Sequence, residues 1–315
     1  MWSFLVSFLP RAVMQGMPLL YGSTGEILTE KAGNLNLGIP GIMYVGAISG
    51  VIGAFFYEQA TQGGQMIGIL AVLIPLLSCL LGSFLMGLLY CFLTVTLRAN
   101  QNVTGLAMTT FGIGFGNFFG GSLIKLAHSE VPSLTFSNTC EYFGTGNYPG
   151  WLAYVGIVIA LLTSLFLRYT RTGLHLRAVG ENPATADAAG INVTRYKYAA
   201  TTIGSMIAGL GGLYYVMECA HGTWANEGFG DRGWLAIALV IFTIWRPSVS
   251  ILASILFGGL LILSEHLSLP LGIKDLYKLA PYVVTLLVLI IVSLRKKRED
   301  QPPQSLGLAY FREER

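Results

Sequence analysis

Long apolar runs restrict this chain to one class of fold. Several of them reach the roughly 20 residues that a helix needs to cross a lipid bilayer. Only 11% of the residues are charged, whereas a soluble domain carries about 25%. The runs are continuous rather than alternating, and backbone polar groups in lipid must bond within their own segment, so each span is a helix. The sequence therefore predicts an all-α protein, a polytopic transmembrane helical bundle.

The apolar runs predict about nine spans, within a range of eight to ten. Residues 1–9 are also apolar but stop at Pro10, and we expect them to lie in the membrane interface. Residues 233–245 number only thirteen and precede Pro247, so this segment either spans or is re-entrant. The nine predicted spans are residues 12–29, 42–57, 67–97, 103–126, 151–167, 199–217, 233–245, 248–263 and 277–294.

The distribution of lysine and arginine predicts the orientation, because these residues concentrate in cytoplasmic loops. With the polar loop at residues 173–193 placed inside, all but five of the 19 basic residues fall on the cytoplasmic side. The five at the outer edge are Arg11, Lys125, Arg232, Lys274 and Lys278. We expect residues 1–298 to form the transmembrane domain. The proline- and charge-rich residues 299–315 are expected to form a disordered cytoplasmic tail.

The polar loop at residues 173–193 contains the signals of a short helix. Pro183 suits the first helical position, where its missing N–H group is not needed. Residues 184–189 are rich in alanine, the best helix former, and Gly190 follows where a helix ends in the left-handed conformation. We therefore predict a helix of one or two turns, held outside the membrane between two spans.

The loop and the helix after it carry a family resemblance. The stretch AVGENPATADAAGINVTRYKYAATTIGSMIAGLGG, residues 178–212, resembles bacterial ABC-importer permeases that serve branched-chain amino acids, simple sugars and nucleosides. The resemblance is closest to the nucleoside and simple-sugar permeases. It implies that the short helix docks into a cleft on an ATPase subunit; the alternative is an ordinary polar connection. The residues implied in ATPase coupling are Arg177, Gly180, Glu181, Asn182, Pro183, Ala186, Ala189 and Gly190.

Two further blocks carry the same resemblance. The sequence NLNLG at residues 34–38, with Gly41, is similar to an Asn-x-Gly element near the first spans of that family. Pro40 stands where many relatives have a glutamate, so a carboxylate role does not carry over to this position. Residues 234–258 resemble the family's helix-Trp-x-Pro-helix segment. The blocks together cover about two-thirds of the chain.

The resemblance implies that the transporter is an assembly of several subunits. Its other members are two ABC ATPase subunits, a second permease subunit that is the same or a different chain, and an extracellular substrate-binding protein. The assembly works by alternating access in the cell (plasma or inner) membrane, with nucleosides or simple sugars as substrates and branched-chain amino acids as the alternative. Neither a bound cofactor nor a nucleic-acid partner is implied, because ATP binds to the ATPase subunits.

Small and polar residues within the predicted spans suggest where helices pack and where substrate passes. Small residues four apart let helix backbones approach closely. We expect this packing at Gly112, Gly116, Gly120 and Gly209. An amide beside aromatic rings can hold a sugar or a base, and a broken helix exposes polar backbone groups; the alternative for both is internal packing. The candidate substrate-pathway residues are Asn34, Asn36, Asn117, Phe118 and Phe119.

Several other functions leave no signature in the sequence. No Gly-Lys dipeptide occurs, so the phosphate-cradling loop of an ATPase is missing and we expect no ATP hydrolysis by this chain. The four cysteines and four histidines have no metal-ligand spacing, and we expect no metal. An ion-coupled secondary transporter requires paired carboxylates at bilayer depth, in which the sequence is poor. A membrane enzyme or a purely structural membrane protein is disfavoured by the docking loop.

Overall fold

Helices form almost all of the regular structure in the computed structural model, which describes residues 2–61, 66–128, 131–144, 148–266, 279–295 and 301–311. The predicted all-α class is confirmed. In chain order the described helices are α1 (Trp2–Glu30), α2 (Ile39–Ala60), α3 (Gly68–Cys91), α4 (Gln101–Leu126), α5 (Ser137–Glu141), α6 (Trp151–Tyr169), α7 (Arg171–Glu181), α8 (Pro183–Ala188), α9 (Val193–Tyr214), α10 (Arg232–Phe242), α11 (Pro247–His266) and α12 (Ala280–Arg295). Two short strands, β1 (Ser133–Thr135) and β2 (Thr223–Ala225), pair antiparallel.

Four helices in the described part of the chain are long and apolar enough to cross a membrane. They are α2, α6, α3 with a π-helical extension to Thr96, and α9 with a similar extension to Cys219. These helices make the protein a multi-pass membrane protein. Helix α10 has only 11 residues, which is too short to cross a bilayer. The predicted start of the last span, residues 277–278, lies outside the described residues.

Helix α1 differs from the expected interfacial segment followed by a separate span. It runs without a break from Trp2 to Glu30 and contains both Pro10 and Pro18. Proline removes one helical hydrogen bond, but neighbouring groups in a membrane bundle can satisfy the freed backbone. Pro10 therefore lies inside α1 and does not separate residues 2–9 from the helix that follows.

The core forms around α1, α2 and α9. Helix α1 packs against α9 and α11, while α2 packs against α3, α4 and α9. Almost all of α2 is buried, whereas α3 leaves a row of leucines exposed, as a helix at the edge of a membrane bundle does. This difference places α2 inside the bundle and α3 at its periphery.

Glycines allow the closest contacts between these helices. A Cβ atom at Gly112 would lie 2.6 Å from the Cα atom of Gly41, so α4 and α2 touch backbone to backbone. Added side-chain atoms at Gly116 and Gly120 would collide with the rings of Tyr44 and Trp224. Gly209 of α9 meets Ser83 of α3. The structure thus places all four predicted packing glycines at tight contacts.

Candidate functional site

Three capping residues define the polar loop between α6 and α9. Thr170, Asn182 and Asn192 precede α7, α8 and α9, and each accepts a backbone N–H bond through its side-chain oxygen at 3.0 Å. Such caps satisfy N–H groups that have no partner inside the helix. Gly190 follows α8 with a φ of +84°, a conformation that favours glycine. Helix α8 therefore lies where the sequence predicts a short helix.

Helix α8 has one buried face and one exposed face. Ala186 is only 3% exposed and packs with Val179 of α7 and Val193 of α9. The exposed residues of the segment include Ala184, Thr185, Ala188, Ala189 and Gly190. We had grouped Ala186 with the docking surface, but its side chain faces the protein's own interior. The surface left for a partner is the one formed by the exposed residues.

Gly180, near the end of α7, joins the loop to the turn between α1 and α2. A Cβ atom at position 180 would lie 3.0 Å from the carbonyl carbon of Lys31 and 3.2 Å from the backbone nitrogen of Gly33. Gly33 has a φ of +83°, which a side chain would strain. Two backbones therefore meet with no side chain between them. The end of α7 therefore contacts the turn after α1 backbone to backbone.

The C-terminal segment, residues 301–311, lies across this junction. Ser305 Oγ donates to the carbonyl oxygen of Gly180 at 2.5 Å, and the amide of Gly307 donates to the carbonyl oxygen of Gly33 at 3.3 Å. The Tyr310 hydroxyl donates to Asp187 of α8 at 2.9 Å. The expected disordered tail is thus wrong for these residues, since Ser305 is buried and hydrogen-bonded. Residues 299–300 and 312–315 lie outside the described part.

The polar side chains predicted for coupling differ in their exposure. Glu181 and Asn182 are exposed, while Arg177 is half-buried and its Nε atom has no hydrogen-bond partner among the described residues. The pKa of Lys31 is lowered chiefly by burial and further by the positive charges of Arg177 and Arg246. The carboxylates of Glu181 and Glu30 oppose this shift. Lys31 therefore lies among charges of both signs, with two arginines and two glutamates acting on it.

Asn34 and Asn36 lie inside a packed turn. Both are fully buried, Asn34 Nδ2 donates to Thr201 Oγ1 at 2.9 Å, and Asn36 Oδ1 accepts the Gly38 amide at 2.9 Å. The carboxylate of Glu26 accepts the backbone amide of Asn36 at 2.9 Å. In this conformation neither asparagine faces open space, and their contacts are those of internal packing.

Two buried carboxylates were not recognised from the sequence. Glu26 and Glu30 lie one turn apart on α1, and both are essentially unexposed. Glu30 accepts a hydrogen bond from the indole N–H of Trp245, in the turn before α11. The four-residue spacing on one helix face was a signal that the two carboxylates lie close together.

Asn117, Phe118 and Phe119 lie on α4 near the paired strands. The hydroxyl of Tyr44 donates to Asn117 Oδ1 at 2.6 Å and accepts the backbone amide of Glu227 at 2.8 Å. Phe118 is 69% exposed and packs edge-on against Phe119. The amide and the rings therefore lie together on one stretch of helix, with Tyr44 as a contact that the sequence did not indicate.

The described residues contain no group of three or more histidine, cysteine or acidic residues that could hold a metal. What the geometry defines is a helical membrane protein with a short, capped surface helix wedged against the ends of its spans.

Comparison with known proteins identifies the family. The profile described as "Branched-chain amino acid transport system / permease component" matches residues 9–293. The chain is 33% identical to the nucleoside ABC transporter permease protein NupC of Lactococcus lactis, over 87% of this chain and 88% of the relative. It is 31% identical to the putative glucose ABC transporter permease protein TsgC13 of Haloferax volcanii, over 85% and 81%. It is 28% identical to the guanosine ABC transporter permease protein NupQ of Bacillus subtilis, over 89% and 90%.

The chain therefore belongs to the branched-chain amino acid transport system permease family, and it is a permease subunit of an ABC importer. The predicted family resemblance is confirmed.

Proposed function

We propose that this permease imports nucleosides, with simple sugars as the second substrate class, in an assembly driven by two separate ATPase subunits. A second permease subunit and an extracellular substrate-binding protein complete the assembly. Two of the three relatives named above carry nucleoside or guanosine in their names, and the third carries glucose. The family description names branched-chain amino acids, which are the alternative.

The observation that carries the proposal is the position of α8. Its exposed face is small and smooth, since Ala184, Ala188 and Ala189 present only methyl groups. Such a surface suits insertion into a groove on an ATPase subunit. Behind it, Gly180 connects the loop to the end of α1 without an intervening side chain. Movement of a docked ATPase subunit can therefore reach the spans.

The proposed orientation places α8, the C-terminal segment and the C-terminus in the cytoplasm. It follows from the basic residues, most of which lie on this side of the chain. We also propose about nine spans, a count that includes residues 233–245; the count is eight if this segment, which contains the short α10, is re-entrant. An impermeant thiol reagent tests the orientation: a cysteine at Arg171 should be shielded in intact cells, and one at Asn138 should react.

A pair of alanine substitutions tests the coupling surface. Ala188→Arg places a bulky charge on the exposed face of α8, whereas Ala60→Arg places the same side chain on an exposed alanine at the other end of the bundle. An unpaired charge that is removed from water inside a docking groove costs on the order of several kcal/mol of binding free energy. Ala188→Arg should abolish co-purification of the ATPase subunit or its stimulation by the loaded binding protein. Ala60→Arg should leave both intact.

The outcomes separate coupling from folding. Both variants should insert in the membrane and elute as folded protein. If Ala188→Arg retains ATPase association and stimulated hydrolysis, α8 is not the coupling element. Ala186→Arg is a poorer test, because Ala186 is buried within the chain and its replacement disrupts the loop itself.

We place Asn117, Phe118 and Phe119 along the substrate pathway. An amide can hydrogen-bond a base or a sugar hydroxyl, and aromatic rings can stack on a base. Asn34 and Asn36 are proposed to act only if the surrounding turn opens during transport. Uptake of labelled guanosine, ribose and leucine in the assembled system tests the substrate class. Uptake of leucine but not guanosine would contradict the nucleoside assignment.

A further inference from the structure

A basic cavity of about 470 Å³ lies next to the coupling loop. Four of its lining residues are bases, and they come from four parts of the chain: Lys31 after α1, Arg168 in α6, Arg177 in α7 and Arg246 before α11. The other described lining residues are Ser164, Leu167, Ile244, Trp245, Pro247, Ser248 and Val249. No carboxylate is among them. Four positive charges around one cavity repel each other and attract an anion.

The side chain of Arg177 distinguishes this cavity from a set of basic residues that are fully exposed to water. Its Nε atom is buried and donates no hydrogen bond to any described residue. A buried donor without a partner within the chain is costly, and a water molecule or a bound ion can satisfy it. Lys31 lines the same cavity. Burial is the main cause that lowers the pKa of its ammonium group; Arg177 and Arg246 act in the same direction, and Glu181 and Glu30 act in the opposite one. An anion in the cavity would offset both the cost of the unpaired Nε atom of Arg177 and the cost of burying the charged ammonium group of Lys31.

The positive-inside rule alone explains why bases accumulate at this end of the spans. It does not explain why four of them line one half-open cavity or why one has an unsatisfied buried nitrogen. The cavity is also amphipathic, since Leu167, Ile244 and Val249 line it together with the indole ring of Trp245. Basic pockets between helices at the cytoplasmic membrane edge are suited to anionic lipid headgroups.

We propose that this cavity binds a phosphate group, supplied by the headgroup of an anionic phospholipid or by a soluble phosphate ester. Lys31 and Arg177 are the inner contacts, and Arg168 and Arg246 lie at the entrance, where both are exposed. The apolar side of the cavity favours the lipid. Placing the headgroup in the cytoplasmic leaflet rests on the orientation under Proposed function.

The bound phosphate would join parts of the molecule that move in transport. Arg177 belongs to the coupling loop, Lys31 to the turn that contacts Gly180, and Arg246 to the turn between α10 and α11. A single anion that contacts all three holds them at fixed distances. The site therefore makes the position of the coupling loop dependent on lipid composition.

Lipid titration of the purified full-length permease tests the proposal. Native mass spectrometry measures the affinity for phosphatidylglycerol, with phosphatidylcholine as the uncharged-headgroup reference. Arg177→Gln and Lys31→Met should each weaken phosphatidylglycerol binding by about fivefold, the factor equivalent to about 1 kcal/mol per base near a membrane surface. Arg195→Gln removes an exposed base of α9 that does not line the cavity, and it should change the affinity less than twofold.

A second arm distinguishes the two phosphate sources. Glycerol 3-phosphate and inorganic phosphate are added to protein in a neutral detergent, and the melting temperature is followed. Stabilisation by these anions, lost in Arg177→Gln, identifies a soluble phosphate ester; stabilisation by phosphatidylglycerol alone identifies a lipid. If neither probe binds, or if the cavity variants and Arg195→Gln behave alike, the proposal is overturned. Binding needs no ATPase subunit, so its failure is distinct from a failure of the coupling proposal.

Discussion

The turn at residues 31–38 and the loop at residues 182–192 use the same local chemistry in opposite surroundings. Asn36 accepts the backbone amide of Gly38, and Asn182 accepts that of Thr185, at 2.9 and 3.0 Å. The first asparagine is fully buried, whereas the second is exposed. The same asparagine cap therefore serves a packed turn in one region and a free surface in the other. What decides between them is which helices pack against the segment.

Gly180 is where the two regions meet, and its substitution should have the largest effect. Gly180→Val introduces a Cβ atom about 3.0 Å from the carbonyl carbon of Lys31, and the added bulk costs about 1–3 kcal/mol of folding stability. We expect substrate uptake to fall to less than about a tenth because the loop is displaced. Uptake and thermal unfolding of the purified protein measure both effects.

Gly114→Val is the matched control, because no atom lies within 4 Å of the Cβ position at Gly114. It should retain normal uptake, while Gly116→Val, on the same helix, should collide with the ring of Tyr44 and impair assembly. Equal behaviour of the Gly114 and Gly116 variants would refute the role of close packing in α4.

The second prediction compares the asparagines directly. Asn34→Ala removes the partner of the buried Thr201 hydroxyl and should cost about 1–3 kcal/mol. Asn192→Ala removes an exposed cap and should cost about 1 kcal/mol or less. Unfolding of both variants in the same detergent gives the ranking. A larger loss for Asn192→Ala would mean that burial does not separate the two regions.

The third prediction concerns the C-terminal segment that bridges the two regions. Ser305→Ala removes the hydrogen bond to the Gly180 carbonyl group, worth about 0.5–1.5 kcal/mol. The segment should then be cut faster by a protease in limited digestion. Gln304→Ala changes an exposed neighbour and should leave the cleavage rate unchanged. Identical rates for the two variants would indicate that the segment is not held by Ser305.

The smallest expected effect is the contribution of Lys31 to the pH dependence of folding stability. Burial, Arg177 and Arg246 lower its pKa in the folded state, while Glu181 and Glu30 act in the opposite direction. The unfolded chain then binds more protons than the folded one, so this group raises stability as pH rises through the window below its ordinary value of 10.5. In a neutral detergent, Lys31→Met should stabilise the protein slightly at neutral pH. The stabilisation by Lys31→Met should become smaller in alkaline buffer. A stabilisation that does not change with pH would contradict the lowered pKa of Lys31.

The sequence supported the fold class, the family and the place of α8, because apolar runs, a proline and a glycine act locally. It did not reveal that Ala186 faces inward, since a helix of six residues is too short to show a periodic pattern from which a buried face can be read. Nor did it show that residues 301–311 pack on Gly180. Those contacts join residues more than a hundred positions apart, such as Ser305 with Gly180, and depend on the arrangement of whole helices.

The candidate site was predictable in composition and less so in geometry. The asparagines and the glycines were recognised as special, but the burial of Asn34 and the pairing of Tyr44 with Asn117 come from tertiary packing. The carboxylates Glu26 and Glu30 were the clearest oversight. Their four-residue spacing is visible in the sequence, but their burial depends on the helices that pack around α1.

The backbone contact at Gly180 also restricts the length of α7. Each residue added to a helix advances it by about 1.5 Å and rotates it by about 100°. One extra residue between Arg171 and Gly180 would carry the glycine away from Lys31 and turn α8 toward a different side. Insertions and deletions in this helix should therefore be tolerated only near whole turns, while its exposed side chains remain free to vary.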